Sequence, residues 1–490
     1  MSLINKSNKI YSKNSNRFNV LIIYIFILIA ISLISTLIIS FDNDKPTYYN
    51  LLPLLPISFG LISCVFANIY NYFFRSISVT IIIATYFMRL VIVPVFMSFG
   101  GYTSKITNTE VLFYVDNAIL LMIFEMIIVF SLLALSVSKL SLSARNVTKK
   151  IKIKEQFISK SLIFKIFLFG LISFEILVLF LHPEVASYVG LFTQFSEQGR
   201  LEHAIQSIYV REIVPGLIFT LFTFIFNILQ LIIPILCIQF INLKFGKANT
   251  KFAVNLSIFV VFLTGIIMTS EKANSILIAL SLFLIIYNIY PTHIRKKIPF
   301  FVLFFIVLVF AGLIFKSGAN SNNNFLSSIS TILNAYFSGP ANVAVSFLMR
   351  DDININIFLS DIGNSIPFIK FFFQDLMTTP KLFNYTLYGN TNFADQIIPM
   401  IGQGYFYFGF LLSPILACLF IKLALLFEKK GNRESNVFSK YIYIFISIGF
   451  ASGPILYSLN IMIGVFCTQV IYILIVKISS KKKRNKIRYN

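Results

Sequence analysis

Repeated apolar runs, each long enough to cross a lipid bilayer, dominate this sequence of 490 residues. A helix of about 20 apolar residues spans a hydrocarbon core of about 30 Å. With 57% hydrophobic and 12% charged residues, the chain has more apolar surface than a soluble protein can cover. The runs are continuous, unlike the short alternating segments of a transmembrane β-barrel. The sequence therefore predicts an all-α, polytopic integral membrane protein.

Hydropathy predicts about twelve transmembrane helices within a single membrane-embedded domain, residues 1–490. The predicted spans are 20–40, 51–72, 76–98, 111–138, 162–181, 213–241, 252–270, 275–290, 298–315, 403–426, 440–457 and 460–476.

The distribution of Lys and Arg predicts how these spans are oriented. Cytoplasmic loops of membrane proteins carry an excess of basic residues, and most of the 41 Lys and Arg fall on one side if both termini are cytoplasmic. Residues 477–490 then form a basic cytoplasmic tail, and two long loops, 182–212 and 316–402, are extracytoplasmic. The second loop lies between spans 9 and 10. The net charge of +22 is thus a topology signal with some attraction to anionic membrane lipid, and it does not predict nucleic-acid binding.

Arg89 lies near the middle of a predicted span. A charge at that depth is costly and usually faces the interior of the helix bundle. The sequence leaves two interpretations open, a structural ion pair with Glu125 of the next span or a basic group that binds a lipid phosphate.

A second group of basic residues lies in the loop 182–212. In a helix, Arg200, His203 and Arg211 would lie on nearly the same face. Two guanidiniums and an imidazole next to a membrane are suited to bind a diphosphate. The alternative is an interfacial helix whose arginines pair with Glu202 and Glu212.

Further charged residues lie in other predicted outer segments. Lys272 occupies a short hairpin, where it either neutralises the preceding glutamate or reaches a substrate. Lys316 and Arg350 belong to the loop 316–402. Asp351 and Asp352 are candidate substrate or metal ligands, although two adjacent aspartates are also common at helix ends.

Asp42 and Asp44 form a short DxD-type cluster in the first outer loop. Some sugar transferases hold a divalent cation with such carboxylates. The motif is weak because Asp is common in turns. The sequence contains no P-loop, GxGxxG unit, HExxH or GxSxG motif, so we expect neither a metal site nor a cofactor.

Two segments carry a resemblance to a known family. One is the aromatic–Gly-Pro segment 335–344, AYFSGPANVA, and the other is the segment 399–409, PMIGQGYFYFG. Together with SEKAN at 270–274 and the predicted topology, they resemble the Wzy-type polymerases of bacterial O-antigens and capsules. Some members carry Arg and Gly sixteen positions apart in two outer loops. Arg200 and Gly216 fit that spacing, whereas Ile366 stands sixteen residues after Arg350.

The resemblance implies a glycosyltransferase that polymerises undecaprenyl-diphosphate-linked oligosaccharide repeat units at the outer face of the bacterial cytoplasmic membrane. A chain-length regulator and a flippase are the implied protein partners. The predicted catalytic residues are Arg200, Arg211, His203 and Lys272. The predicted substrate-binding residues are Arg89, Lys316, Arg350, Asp351 and Asp352. The general base is left open between His203, Glu202, Asp351 and Asp352.

Three alternatives remain at this stage. An O-antigen ligase would transfer finished glycan to another acceptor, and a metal-dependent transferase would use Asp42 and Asp44. A polysaccharide flippase or transporter is the alternative from a different class, but transporters usually show two similar halves, and no internal repeat is visible here.

Overall fold

A computed structural model gives the three-dimensional structure of the chain. It describes residues 23–73, 75–102, 108–144, 162–188, 214, 216–246, 248–266, 272–294, 325–366, 369–373, 376–389, 398–434 and 436–480.

The described chain is helical, and many of its helices are long and strongly apolar. Seven are long and apolar enough to cross a membrane, and a bent pair of helices makes an eighth if it is counted as one span. Three shorter apolar helices coincide with further predicted spans, and the predicted span 298–315 lies outside the described residues. The protein is therefore a multi-pass membrane protein, and the structure supports fewer full-length spans than the twelve predicted.

The helices are numbered here in chain order. They are α1 Ile23–Ser40, α2 Leu54–Val65, α3 Ile77–Phe87, α4 Val93–Gly100, α5 Val115–Ala144, α6 Leu162–Leu181, α7 Gly216–Phe245, α8 Thr250–Ile266, α9 Lys272–Ile289, α10 Phe325–Tyr336, α11 Pro340–Leu348, α12 Ile355–Ser365, α13 Thr379–Tyr388, α14 Met400–Leu412, α15 Ile415–Arg433, α16 Val437–Leu456 and α17 Leu459–Ser480. A π-helical turn, Met88–Ile92, joins α3 to α4.

Helix α16 forms the centre of the bundle. Its side chains are buried along almost its whole length, and α3, α9, α15 and α17 pack around it. By contrast, most side chains of α6 are exposed and apolar, among them Phe169 and Phe180. A helix that is apolar on all sides and exposed in the bundle is suited to contact lipid.

Hydrogen bonds between distant segments fall at two opposite ends of the bundle. At one end, which we call the loop end, Tyr102 donates to Asp42, and Asn108 donates to the Thr386 carbonyl at 3.2 Å. At the other end, the Ser76 hydroxyl donates to Glu428 at 2.6 Å. Each pair joins segments that the charge distribution assigns to the same side of the membrane.

Helices α10 and α11 form a hairpin that enters the bundle from the loop end. Helix α10 packs along α4, and α11 packs against α5, the turn Thr109–Tyr114 and α14. Its tip, Ser338 and Gly339, reaches Arg89, which lies 11 residues, or roughly 16 Å of helix, before Gly100. The described part of the predicted outer loop 316–402 thus contains a re-entrant hairpin, Phe325–Leu348.

The predicted continuous span 403–426 is broken. Helices α14 and α15 meet at an angle of 106°. Gly409 adopts a φ of 75° inside α14, a conformation that favours glycine. A Cβ at Gly404 would lie 2.1 Å from the Ser413 carbonyl oxygen, so the bend requires glycine there as well. Hydropathy cannot detect this bend because both halves are apolar.

We expect Gly100→Ala to destabilise the re-entrant hairpin. A Cβ at Gly100 would lie 2.2 Å from the Leu326 carbonyl oxygen and 2.7 Å from the Ser330 Cβ, so α10 would have to move away from α4. Overpacking of this kind costs about 1–3 kcal/mol. The readout is the thermal unfolding midpoint of the purified protein in detergent. Gly170→Ala in α6 is the control, because a Cβ there meets nothing within 4 Å. Equal midpoints for the two variants would contradict the expectation.

Candidate functional site

A groove of about 590 Å³ opens at the loop end. Three parts of the chain line it: the residue before the turn Thr109–Tyr114, the end of α11 with the turn that follows it, and the C-terminal half of α13 with the next residue. The lining residues are Asn108, Leu348, Asp352, Tyr385, Thr386, Leu387, Tyr388 and Gly389. The volume is in the range of small-molecule binding sites. We refer to this set of residues as the groove.

Asp352 is the carboxylate that lines the groove among the described residues. It ends the short 3₁₀ turn Met349–Asp352, which follows α11, and its side chain is exposed. Tyr385, another lining residue, is 55% exposed. A carboxylate accepts hydrogen bonds from neighbouring hydroxyl groups, and an aromatic face packs against the C–H face of a sugar ring. The groove thus combines the two kinds of group that bind carbohydrate.

Arg350 lies two residues before Asp352 and faces a different element. Its guanidinium carbon lies 4.9 Å from the centre of the Tyr405 ring on α14. A Cβ at Gly409 would lie 2.9 Å from Nη2 of Arg350, so the absence of a side chain there makes room for the guanidinium. The Arg350 side chain is exposed, and within the described residues no hydrogen bond or ion pair engages its nitrogens. Its donors are available to an anionic ligand.

An aromatic stack supports this guanidinium. Tyr405 lies 4.1 Å from Phe347, ring centre to ring centre, and Phe347 in turn stacks on Tyr114 at 6.0 Å. A guanidinium on an aromatic face gains roughly 0.5–1 kcal/mol at an exposed site. The stack therefore orients Arg350 without consuming its hydrogen-bond donors.

The DxD-type cluster has a structural explanation. Asp42 accepts hydrogen bonds from the Tyr102 hydroxyl and from the Asp44 amide, the latter at 3.0 Å. Burial, and then the hydrogen bond to Asp42, raise the pKa of Tyr102 above its ordinary value. In the part of the chain that the structure describes, no group of three or more His, Cys, Asp or Glu could hold a metal ion. Asp42 and Asp44 thus have no third such ligand beside them among the described residues.

Arg89 is completely buried and forms the predicted ion pair. Its Nη1 lies 2.8 Å from Oε2 of Glu125, which is also fully buried, and its Nε donates to the Ser338 carbonyl at 3.1 Å. The ion pair with Glu125 that the sequence suggested is therefore present. Nη2 of Arg89 makes no hydrogen bond to another described residue. No part of the guanidinium is exposed, so its predicted role in substrate binding finds no support in this geometry.

A second buried carboxyl group belongs to Asp361 on α12. Its carboxylate accepts hydrogen bonds from Thr379, Tyr407, Asn460 and Gln403. Gln403 also donates to Asn460 at 2.7 Å and accepts from the Leu459 amide at 2.6 Å. This Asp361 cluster joins α12, α13, α14 and α17.

The remaining predicted site residues lie largely outside the described residues. These are Arg200, His203, Arg211 and Lys316. Lys272 is the first residue of α9, but its side chain is not described. Asp351 is exposed beside Asp352 and does not line the groove. The structure thus places Asp352 in the groove and Arg350 on the neighbouring surface formed by Tyr405, and Arg89 belongs to neither.

The sequence did not identify the Asp361 cluster or Tyr385 as parts of a site. Gln403 and Tyr407 lie in the segment 399–409 that carries the family resemblance, and this was the available signal. Asp361, Thr379 and Asn460 are far apart in sequence and stand in no recognisable motif.

Comparison with protein-family models, with curated proteins and with solved structures found no match.

The turn Met349–Asp352 contributes one charged side chain to each of two neighbouring surfaces. Arg350 presents a free guanidinium over Tyr405, which is suited to bind a phosphate or carboxylate. Asp352 presents a carboxylate to the groove, where it can accept hydrogen bonds or a proton from a hydroxyl group. A molecule that carries both an anionic group and sugar hydroxyls would match this pair.

Proposed function

We propose that the protein is a membrane glycosyltransferase that polymerises undecaprenyl-diphosphate-linked oligosaccharide repeat units. The observation that supports it best is the turn Met349–Asp352, which holds a free guanidinium beside a groove with a carboxylate and an exposed tyrosine. In the proposed orientation, the loop end faces the outside of a bacterial cytoplasmic membrane. The substrates are then a lipid-linked donor glycan and a lipid-linked acceptor repeat unit.

The reaction breaks the bond between the anomeric carbon of the donor glycan and its lipid diphosphate. A hydroxyl group of the acceptor sugar forms the new glycosidic bond, and its proton passes to a general base. Diphosphate leaves with additional negative charge, which fixed cations stabilise well at a partly dehydrated site. Arg350 is the described cation placed to do this, with Arg200, Arg211, Lys272 and Lys316 as further cations predicted from the sequence.

Asp352 is the described carboxylate placed to act as the general base. It lines the groove, where an acceptor sugar would bind, and its side chain is exposed to that ligand. A base must lie within hydrogen-bond reach of the hydroxyl from which it takes the proton. His203, Glu202 and Asp351 remain the alternative bases from the sequence.

A clean deletion of the gene tests the proposal. We expect the mutant to make a single repeat unit on the carrier lipid and to lose the ladder of longer glycans on a gel, because initiation and export do not need the polymerase. The intact gene should restore the ladder. A normal ladder still attached to carrier lipid would indicate a ligase instead. A complete absence of outward-facing repeat units would indicate a flippase.

A further inference from the structure

Asp361 is fully buried at the loop end, and its carboxylate is held by neutral donors alone among the described residues. The Thr379 amide donates to Oδ1 at 2.8 Å, and the Asn460 side chain donates to the same oxygen at 2.9 Å. Oδ2 accepts from the hydroxyls of Thr379 and Tyr407 and from Gln403 at 3.4 Å. The carboxylate thus accepts five hydrogen bonds from residues of three other helices, so the cluster is an attachment point between them.

The cluster connects two chain segments that both line the groove. Asp352 is followed, after two residues, by α12, which carries Asp361. Thr379 begins α13, and the far end of α13 supplies Tyr385 and Gly389 to the groove. Helix α13 has 10 residues and also packs against α11, so the attachment of its first residue and this packing together set where its last turn lies.

Tyr407 and Gln403 attach this arrangement to the membrane bundle. Both belong to α14, whose neighbouring residue Tyr405 lies under the Arg350 guanidinium. Helix α14 thus carries part of the Asp361 cluster and also Tyr405, on which Arg350 stacks. Helix α13 carries Thr379 of the cluster and also lines the groove. A change at Asp361 would alter the spacing of both surfaces.

We propose that Asp361 is a positioning residue, which sets the distance between Asp352 and Tyr385 and so the affinity of the groove for the glycan part of the substrate. This inference rests on the proposed function for its ligand, although the attachment itself does not. Asp361→Asn would place an amide N–H₂ at one of the two oxygen positions, so either the Thr379 amide and Asn460, or Gln403, would lose an acceptor.

Glu428 provides a matched control at the opposite end of the bundle. It is also buried, and it accepts hydrogen bonds from the Ser76 hydroxyl at 2.6 Å and from the amides of Ile77 and Ser78 at 2.8 and 3.1 Å. Glu428→Gln therefore removes a comparable buried carboxylate that attaches α3 to α15. A loss of general stability should affect both variants alike.

The first experiment measures polymerisation in proteoliposomes with increasing amounts of lipid-linked repeat unit purified from the deletion strain. For Asp361→Asn we expect the KM to rise about ten-fold, which corresponds to roughly one lost charge-assisted hydrogen bond at the attachment. For Glu428→Gln we expect an unchanged KM with less active protein. An unchanged KM in Asp361→Asn would overturn the proposal.

If that variant does not accumulate, Thr379→Val replaces it. This change removes the Thr379 hydroxyl donor alone, and we again expect the KM to rise.

The second experiment is independent of activity. Lys381 lies in the first turns of α13, so release of Thr379 should expose the bond after Lys381 to trypsin in the purified protein. We expect a fragment that begins at Leu382 to form faster from Asp361→Asn than from wild type or Glu428→Gln. Equal rates would overturn the positioning role. If the wild-type protein instead fails to polymerise, the proposed function fails, and the cleavage rates still decide whether Asp361 holds α13.

Discussion

Arg89→Met is expected to be the most destabilising single substitution in the membrane-embedded part, with a loss of about 3–5 kcal/mol in unfolding free energy. It would leave the fully buried Glu125 without its ion-pair partner, whose Nη1 lies 2.8 Å from Oε2. It would also remove the donor to the Ser338 carbonyl at the tip of the re-entrant hairpin. The readout is the thermal unfolding midpoint in detergent.

The double variant Arg89→Met/Glu125→Leu distinguishes the charge effect from the loss of packing. If the cost comes from an uncompensated buried carboxylate, the double variant should recover most of the stability lost in the single variant. Lys422→Met is the control, since Lys422 is a basic residue on a span-forming helix whose side chain is exposed. A single variant and a double variant with equal midpoints would contradict this explanation.

The buried pair was predictable because a charge in the middle of an apolar span needs a partner, and Glu125 is the acid near the middle of the next span. The helical membrane class followed in the same way from the apolar runs. The membrane class depends on apolar runs of about 20 neighbouring residues. The ion pair depends on the high free-energy cost of an unpaired charge inside a membrane, which few arrangements other than a nearby opposite charge can offset.

The re-entrant hairpin was not predictable from hydropathy. Its helices have 12 and 9 residues, which is too short for a span, so the hairpin was assigned to an outer loop. Its position depends on the contact of α10 with Gly100 and on the positive φ of 51° at Ser338. The Asp361 cluster escaped prediction for a related reason, since its members come from four helices that are far apart in the sequence.

The candidate site was predicted in part. Arg350, Asp351 and Asp352 are three neighbouring charges, and no sequence pattern distinguishes their roles. The fold separates them because Tyr405 and Gly409 accommodate Arg350, whereas α13 lies opposite Asp352. Asp351 belongs to neither surface, which the sequence alone cannot show.

Arg350→Ala is expected to abolish long polymer while the protein remains in the membrane at its normal amount. If the guanidinium stabilises the departing diphosphate, its loss should reduce the polymerisation rate by about 10²–10³-fold. The effect on stability should be small, since an exposed cation–π contact contributes roughly 0.5–1 kcal/mol. The measurements are the glycan ladder on a gel and the amount of protein on a membrane immunoblot.

Two further variants make the interpretation specific. Arg350→Lys keeps the positive charge but has neither the planar face that stacks on Tyr405 nor the paired donors, so we expect an intermediate ladder. Lys381→Ala removes another cation of the same loop, one whose Nζ donates to the Leu376 carbonyl at 3.0 Å, and we expect it to leave the ladder intact. A wild-type ladder in Arg350→Ala would exclude Arg350 from the reaction. An equal loss in Arg350→Ala and Lys381→Ala would show that the total charge of the loop matters, rather than the guanidinium over Tyr405.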